Sequence, residues 1–186
     1  MFALTPRLTL RPGWPEDAPA LARAIAHEPV VRHLSRVPFP YGVEDAAAFL
    51  CRPAPADEPR FLICERFGAY RLIGGIGLHR EPPGGWELGY WLTPDAWGRG
   101  FATEAARAVL DIARYTLGLR RVLARHHVDN PASGKVMRKL GMTETGTRSR
   151  LYSAARGHEV ECIDFAIAWT DAGEAQPDPE SMPIAA

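Results

Sequence analysis

Trp97-Gly98-Arg99-Gly100-Phe101-Ala102-Thr103 is the stretch whose reading decides the fold. Upstream, Trp86-Glu87-Leu88-Gly89-Tyr90-Trp91-Leu92 is an aromatic-rich strand that must stop at Thr93-Pro94, because proline supplies no ladder donor. Downstream, Phe101, Ala105, Ala108, Val109, Ile112, Ala113 and Leu117 recur at helical spacing, and Gly118 is placed to end the helix. A glycine-bearing turn between a strand and a helix can aim several backbone N–H groups, together with the helix dipole, at an anion. The stretch therefore reads as a phosphate cradle in an α/β protein. Two familiar phosphate motifs are excluded: there is no Gly-x-x-x-x-Gly-Lys-Ser/Thr, and the third glycine and later acid of a dinucleotide fingerprint are missing.

A second block, Asn130-Pro131-Ala132-Ser133-Gly134-Lys135-Val136-Met137-Arg138-Lys139-Leu140-Gly141-Met142, follows the cradle helix and one further strand. With these two blocks in this order, the chain resembles the GCN5-related N-acetyltransferase (GNAT) superfamily, and within it the branch that acetylates ribosomal-protein N-termini (RimJ/RimL-type). The first block is similar to that family's pyrophosphate-binding motif, the second to the segment that holds the pantetheine arm of acetyl-CoA. The superfamily commonly carries Gln or Arg three residues before the second glycine of the loop, where this chain has Trp97. The resemblance implies a mixed, mostly antiparallel central sheet of about six or seven strands with one parallel, splayed pair, flanked by about four helices. It also implies transfer of acetyl from acetyl-CoA to a primary amine without a metal.

Bulk properties bound the reading. A chain of 186 residues suits one domain with a substantial core, expected over residues 1–170, and residues 171–186, rich in Pro, Ala and acids, are expected to be a disordered tail. Hydrophobic content of 46%, charged content of 24% and zero formal net charge are ordinary for a soluble protein and give no sign of a nucleic-acid partner. Cys51, Cys64 and Cys162 are odd in number and widely separated, which argues against a disulfide framework or zinc knuckle and suits a reducing cytoplasm. No apolar run approaches the length of a membrane span. The expected partners are acetyl-CoA and an amine acceptor, and a homodimer is compatible with the composition.

Along the chain, Leu8 to Arg11 reads as the first strand, and a helix begins at Pro15-Glu16-Asp17, runs to His27 and is ended by Pro29. Val43, Ala46, Ala47, Phe49 and Leu50 form the stripe of a second helix. Arg60 to Glu65 and Leu72 to His79 read as a hairpin, Arg121 to His127 as a strand parallel to Trp86–Leu92, Pro131 to Leu140 as a short helix, and Met142–Tyr152 and Glu159–Trp169 as the last strands. The cradle then lies at the carboxyl end of a parallel strand, where open α/β sheets bind ligands.

The chemistry can be assigned role by role. Backbone N–H groups of Gly98, Arg99, Gly100, Phe101, Ala102 and Thr103 take the pyrophosphate, with the two glycines allowing close approach, Arg99 adding charge and Trp97 adjoining. By resemblance, the backbone of Tyr90, Trp91, Leu92 and Thr93 pairs with the pantetheine and supplies an oxyanion donor. Asn130 corresponds to the residue that holds the pantetheine, although an Asn-Pro helix start is an equally good reading and both can hold. Ser133 matches a position from which a hydroxyl can protonate the leaving thiolate, or else it is a local cap. Many members use a tyrosine there, for which Tyr152 is the nearby candidate. Glu87 alternates with Gly89 and Trp91 and is the preferred base if it faces an apolar cleft, with His79 the runner-up and a solvent-facing glutamate the alternative. Glu104, in the first turn of the cradle helix, reads as structural. The family's acceptor side places Arg150, Tyr152, Arg156 and His158 around the acceptor, hinting at an acceptor with a negative charge besides its amine; an exposed basic turn is the alternative. Acetylation of a small amine, or a regulatory module that binds acyl-CoA without turnover, are the rival readings.

Overall fold

The structure, a computed structural model, describes residues 1–170 except Ala54, Ala69, Pro82 and Pro83. The tail expected to be disordered lies outside these residues. Their backbone forms one eight-stranded sheet in the order β1-β2-β3-β4-β5-β6-β8-β7. The strands are β1 (Ala3–Leu4), β2 (Leu8–Arg11), β3 (Arg60–Glu65), β4 (Leu72–Glu81), β5 (Gly85–Leu92), β6 (Arg121–His127), β7 (Thr143–Ser153) and β8 (His158–Ala168). Every neighbouring pair is antiparallel except β5 and β6, which run parallel because the helix α4 (Phe101–Asp111) crosses between them. The mixed sheet with one parallel pair is as expected from the sequence.

Two elements exceed the expected count. Strand β1 is two residues long and pairs Ala3 with Leu10, too short to leave a periodic pattern. The first helix, α1 (Ala18–Ile25), ends before Pro29, which occupies the first turn of a separate four-residue helix, α2 (Glu28–Val31). Pro29 therefore opens a helix rather than closing one: in a first turn its missing N–H costs nothing. Helix α3 (Val43–Leu50) falls where expected, but Val43 is exposed and only Ala46 of its stripe is fully buried. An acid reaches back to the chain at the start of both α1 and α3: Asp17, just before α1, accepts from the Trp14 N–H at 2.9 Å, and Asp45, in the first turn of α3, accepts from the Gly42 N–H at 2.8 Å.

Each face of the sheet has its own cover. Leu8, Leu10, Ile63, Ile73, Leu88, Leu92, Val122, Ala124 and Phe165 pack against Phe101, Ala105 and Val109 of α4 and Met137 of α5 (Pro131–Lys139). On the opposite face, Leu62 lies under α1 and α3, and Trp91 reaches both that cluster and the one formed by Ile25, Val30 and Val31. The Trp91 indole lies where a side chain at Gly75 would start, its Nε1 being 2.7 Å from that Cβ position, so β4 carries glycine there to admit the ring. Helix α4 passes into a π turn over Ile112–Thr116 and ends at Gly118, whose φ of 64° lets the Leu119 N–H return to the Ala113 carbonyl at 2.9 Å.

Candidate active site

The turn after β5 is held by its own side chains. A single turn of 3₁₀ helix, Pro94–Ala96, leads to Trp97, whose indole N–H donates to the Leu92 carbonyl at 2.9 Å and closes the loop back onto the strand end. Gly98 and Gly100 then take φ of 72° and 82°. This left-handed region excludes most side chains. A Cβ at Gly98 would meet nothing within 4 Å, so the folded chain requires the conformation and leaves the space in front of the turn open. Gly100 caps α4 without a side chain, and Glu104 N–H returns to its carbonyl at 3.1 Å. The N–H groups of Phe101, Ala102 and Thr103 thus emerge at the positive end of an eleven-residue helix.

Two guanidinium groups flank this helix start. Arg7 and Arg99 stack on the Phe101 ring at 4.6 and 4.4 Å from its centroid. Arg99 is paired with Glu65 at 2.8 Å, and Arg7 with Glu104 at 2.7 Å. Glu104 also accepts from the Thr5 hydroxyl at 2.6 Å and the Arg7 N–H at 2.8 Å. Burial pushes its carboxyl up, but these donors outweigh burial and hold it below the usual range. Glu104 thus ties the N-terminal strands to α4.

Strands β5 and β6 share one ladder pair, Glu87 with Leu123, and part beyond it toward their carboxyl ends. The Thr93 N–H donates to the Ile73 carbonyl at 2.8 Å. Thr93 is therefore engaged with β4. By the alternation of an antiparallel ladder, the backbone groups of Leu92 and Tyr90 point the other way, into the gap toward β6. The Leu92 carbonyl is taken by Trp97. The donors left facing the gap are the N–H groups of Tyr90 and Leu92.

Across the gap stands α5. Asn130 caps it, its side-chain oxygen accepting from the Ser133 N–H at 3.3 Å. The Ser133 hydroxyl lies 2.8 Å from the Tyr90 hydroxyl, which burial pushes up to about 12 despite that hydrogen bond. Tyr90 was expected to contribute only backbone; its side chain joins the cluster because it faces α5, one step along β5 from Trp91, which faces the other side. Tyr152, the tyrosine candidate from sequence, is 59% exposed on the edge strand β7.

On the other face, Glu87 is 8% exposed and lies against the Arg125 guanidinium at 2.9 Å and His79 Nε2 at 3.8 Å. Burial pushes its carboxyl up to about 7, against the pull of Arg125. Burial likewise lowers His79, so its imidazole favours the neutral form. Arg125 also pairs with Glu81 at 3.1 Å. Sequence reasoning missed Arg125, because only the parallel register, with Leu123 beside Glu87, puts Arg125 on that face.

The residues expected around the acceptor are split. Arg156 and His158 line a cleft of about 340 Å³ with Glu28, Val31, Arg32, Phe39 and Ala155. Arg150, by contrast, pairs with Glu159 at 3.5 Å on the exposed β7–β8 ladder. Arg156 is bound by Asp129 at 2.9 Å and by the Arg32 carbonyl at 2.7 Å. Among the described residues, two clusters bring three metal-ligand atoms within 4.8 Å of one another: His33, His127 and Asp129, and His79, Glu81 and Glu87. Each also has a guanidinium against its carboxylate, Arg156 in the first and Arg125 in the second.

Comparison with known proteins bears on the family and the fold. The acetyltransferase (GNAT) domain family matches residues 7–143. An uncharacterized N-acetyltransferase of Bacillus subtilis, YoaA, is 30% identical over 147 residues, covering 76% of this chain and 82% of that protein. Among solved structures, the ribosomal-protein-S5-alanine acetyltransferase from Vibrio fischeri superposes with a TM-score of 0.76 at 18% identity, covering 92% of this chain and 98% of that one. Mycobacterium smegmatis RimJ in complex with CoA-disulfide gives a TM-score of 0.75 at 19% identity, covering 90% and 86%. At these identities the two structures speak for the fold. No helix among the described residues is long and apolar enough to cross a membrane.

Proposed function

The chain belongs to the GNAT acetyltransferase family and is an acetyl-CoA-dependent N-acyltransferase, and we propose that its acceptor is a protein or peptide N-terminal amino group. The observation that carries this reading is Glu87, buried on the sheet face opposite the cradle helix with its carboxyl near 7. A peptide α-amino group has a pKa near 8 and an alkyl amine near 10.4, so taking the proton costs about 1.4 kcal/mol from the first and about 4.6 kcal/mol from the second. A carboxylate at that level is matched to α-amino groups. The fold shared with the S5-alanine enzyme and RimJ supports the same choice.

Acetyl-CoA supplies the acetyl thioester. Open space before Gly98, the unpaired first turn of α4 and the parting of β5 from β6 fit its pyrophosphate and pantetheine. We assign the pyrophosphate to the N–H groups of Phe101, Ala102 and Thr103 at the start of α4, beside the turn Trp97–Gly100. Leu92, Thr93 and Asn130 border the arm. The N–H of Tyr90 or Leu92 polarises the thioester oxygen, a donor worth about 3 kcal/mol when aimed at a developing oxyanion. Glu87 takes the amine proton, with His79 beside it as the route to solvent. Ser133, bonded to Tyr90, faces the departing sulfur. His158 contacts the acceptor inside the cleft, and Arg150 and Tyr152 contact its outer part.

Intact mass of peptides and small amines after incubation with enzyme and acetyl-CoA tests the assignment. Acetylation at a peptide's α-amino group, with its lysines unmodified, is expected. Acetylation of polyamines, amino acids or aminoglycosides alone would overturn it.

A further inference from the structure

The acceptor cleft and the coenzyme-facing turn meet at Asp129, which pairs with two arginines of the cleft wall, Arg156 at 2.9 Å and Arg32 at 3.3 Å. Arg156, in the turn between β7 and β8, donates from Nη2 to both oxygens of Asp129 at 2.9 and 3.1 Å. Its Nε donates to the Arg32 carbonyl at 2.7 Å, and Nη2 lies 3.3 Å from His33 Nδ1. The same turn is fastened twice more to the segment after α2, through Ala154 N–H to the Ser35 carbonyl at 2.9 Å and Ser153 hydroxyl to the Leu34 carbonyl at 3.3 Å. Asp129 in turn precedes Asn130, whose N–H bonds the His127 carbonyl at 2.8 Å and whose side chain caps α5 at Ser133. Three segments far apart in sequence thus converge on Arg156, a wall of the cleft, and its carboxylate partner adjoins the residue that orients the start of α5. His127, 3% exposed with an unpartnered Nδ1, lies under this junction, its ring 6.0 Å from that of His33.

We infer that Arg156 is a positioning residue that couples the two substrate sites: through Asp129 it sets the Asn130–Ser133 turn, so that a change at the acceptor wall alters acetyl-CoA binding. The inference rests on the functional reading above. A largely buried guanidinium bonded to a carboxylate and a carbonyl is a stiff joint, because removing the carboxylate leaves its charge without a counterpart. Site-to-site coupling of this kind is reciprocal, and amounts to about fivefold or more in affinity.

Calorimetric titration with acetyl-CoA, without acceptor, tests the coupling on wild type, Arg156→Gln, Asp129→Asn and the double variant. Arg156→Gln is expected to weaken acetyl-CoA about fivefold and Asp129→Asn, which also loses Arg32, at least as much, with the double variant no worse than Asp129→Asn, because Arg156 acts through Asp129. Arg148→Gln, exposed on β7, is the control and leaves affinity unchanged. Faster amide hydrogen exchange at Ser133 and Gly134 in unliganded Arg156→Gln is the second readout, with Arg156→Lys for the case in which Gln fails to fold. Affinity within twofold of wild type in every variant, or a lower Tm with affinity intact, would make Arg156 a mere brace and overturn the coupling. Additive losses would overturn it as well. Wild type that binds acetyl-CoA while the variants bind equally sinks the coupling alone; wild type that fails to bind sinks the functional reading with it.

Discussion

The two edges of this site are built by different means. The edge we propose for the coenzyme is made of main chain: positive φ at Gly98 and Gly100, uncapped N–H groups at the start of α4, and ladder groups of Tyr90 and Leu92 directed into the gap beside β6. The edge we propose for the acceptor is made of side chains in contact, most of them over long sequence separations: Glu87 with Arg125 and His79, and Arg156 with Asp129 and the Arg32 carbonyl. A backbone edge tolerates replacement of nearly any side chain except glycine, whereas a side-chain edge concentrates its function in a few titratable groups. The contrast predicts where substitutions should hurt.

The largest effect belongs to the acceptor edge. Glu87→Gln should lower kcat by about 100-fold, the scale of general-base loss, with acetyl-CoA affinity kept. In wild type the rate should rise with pH through about 7 and then level, since the base acts only when its raised carboxyl has lost its proton. The variant should lose that limb. A flat response in both would return the role to His79 or to water.

Next comes the backbone edge. Gly100→Val places a branched side chain at a φ of 82°, where strain of about 1–2 kcal/mol is expected; acetyl-CoA affinity measured by titration should fall about tenfold or more. Tyr90→Phe removes one buried hydroxyl bonded to Ser133, worth about 1 kcal/mol. It should lower kcat about fivefold, Ser133→Ala should do the same, and the pair should be no worse than either. Unchanged turnover in both would remove the hydroxyls from the reaction. Arg99→Ala should be the mildest, below about twofold in affinity, because an exposed guanidinium already paired with Glu65 has little charge to spare. A tenfold loss there would mean that side chains, not main chain, carry the coenzyme edge.

The same contrast explains what could be read from the sequence. A main-chain cradle leaves local marks: glycines at fixed offsets, a proline ending the strand, an apolar helical stripe, an Asn-Pro start. These placed β5, α4, β6 and α5 to within a residue or two. Pro29 misled because the residue marks a helix start as readily as an end. Side-chain clusters leave no local mark. Nothing in the spacing of Asp129 and Arg156 announces that β7 and β8 fold back to join them, and Tyr90 met Ser133 only once α5 was laid across β5. Glu87 was legible because strand alternation fixes its face; the Arg125 beside it needed the parallel register as well.

The central claim is that main-chain donors between Tyr90 and Thr103, with the Asn130 turn opposite, grip the coenzyme in the gap between β5 and β6. A crystal structure of the protein with coenzyme A tests it most directly. The account predicts the pyrophosphate on the N–H groups of Phe101, Ala102 and Thr103, with the pantetheine beside Tyr90 and Leu92. A closed gap, or a nucleotide bound anywhere else on the sheet, would contradict it.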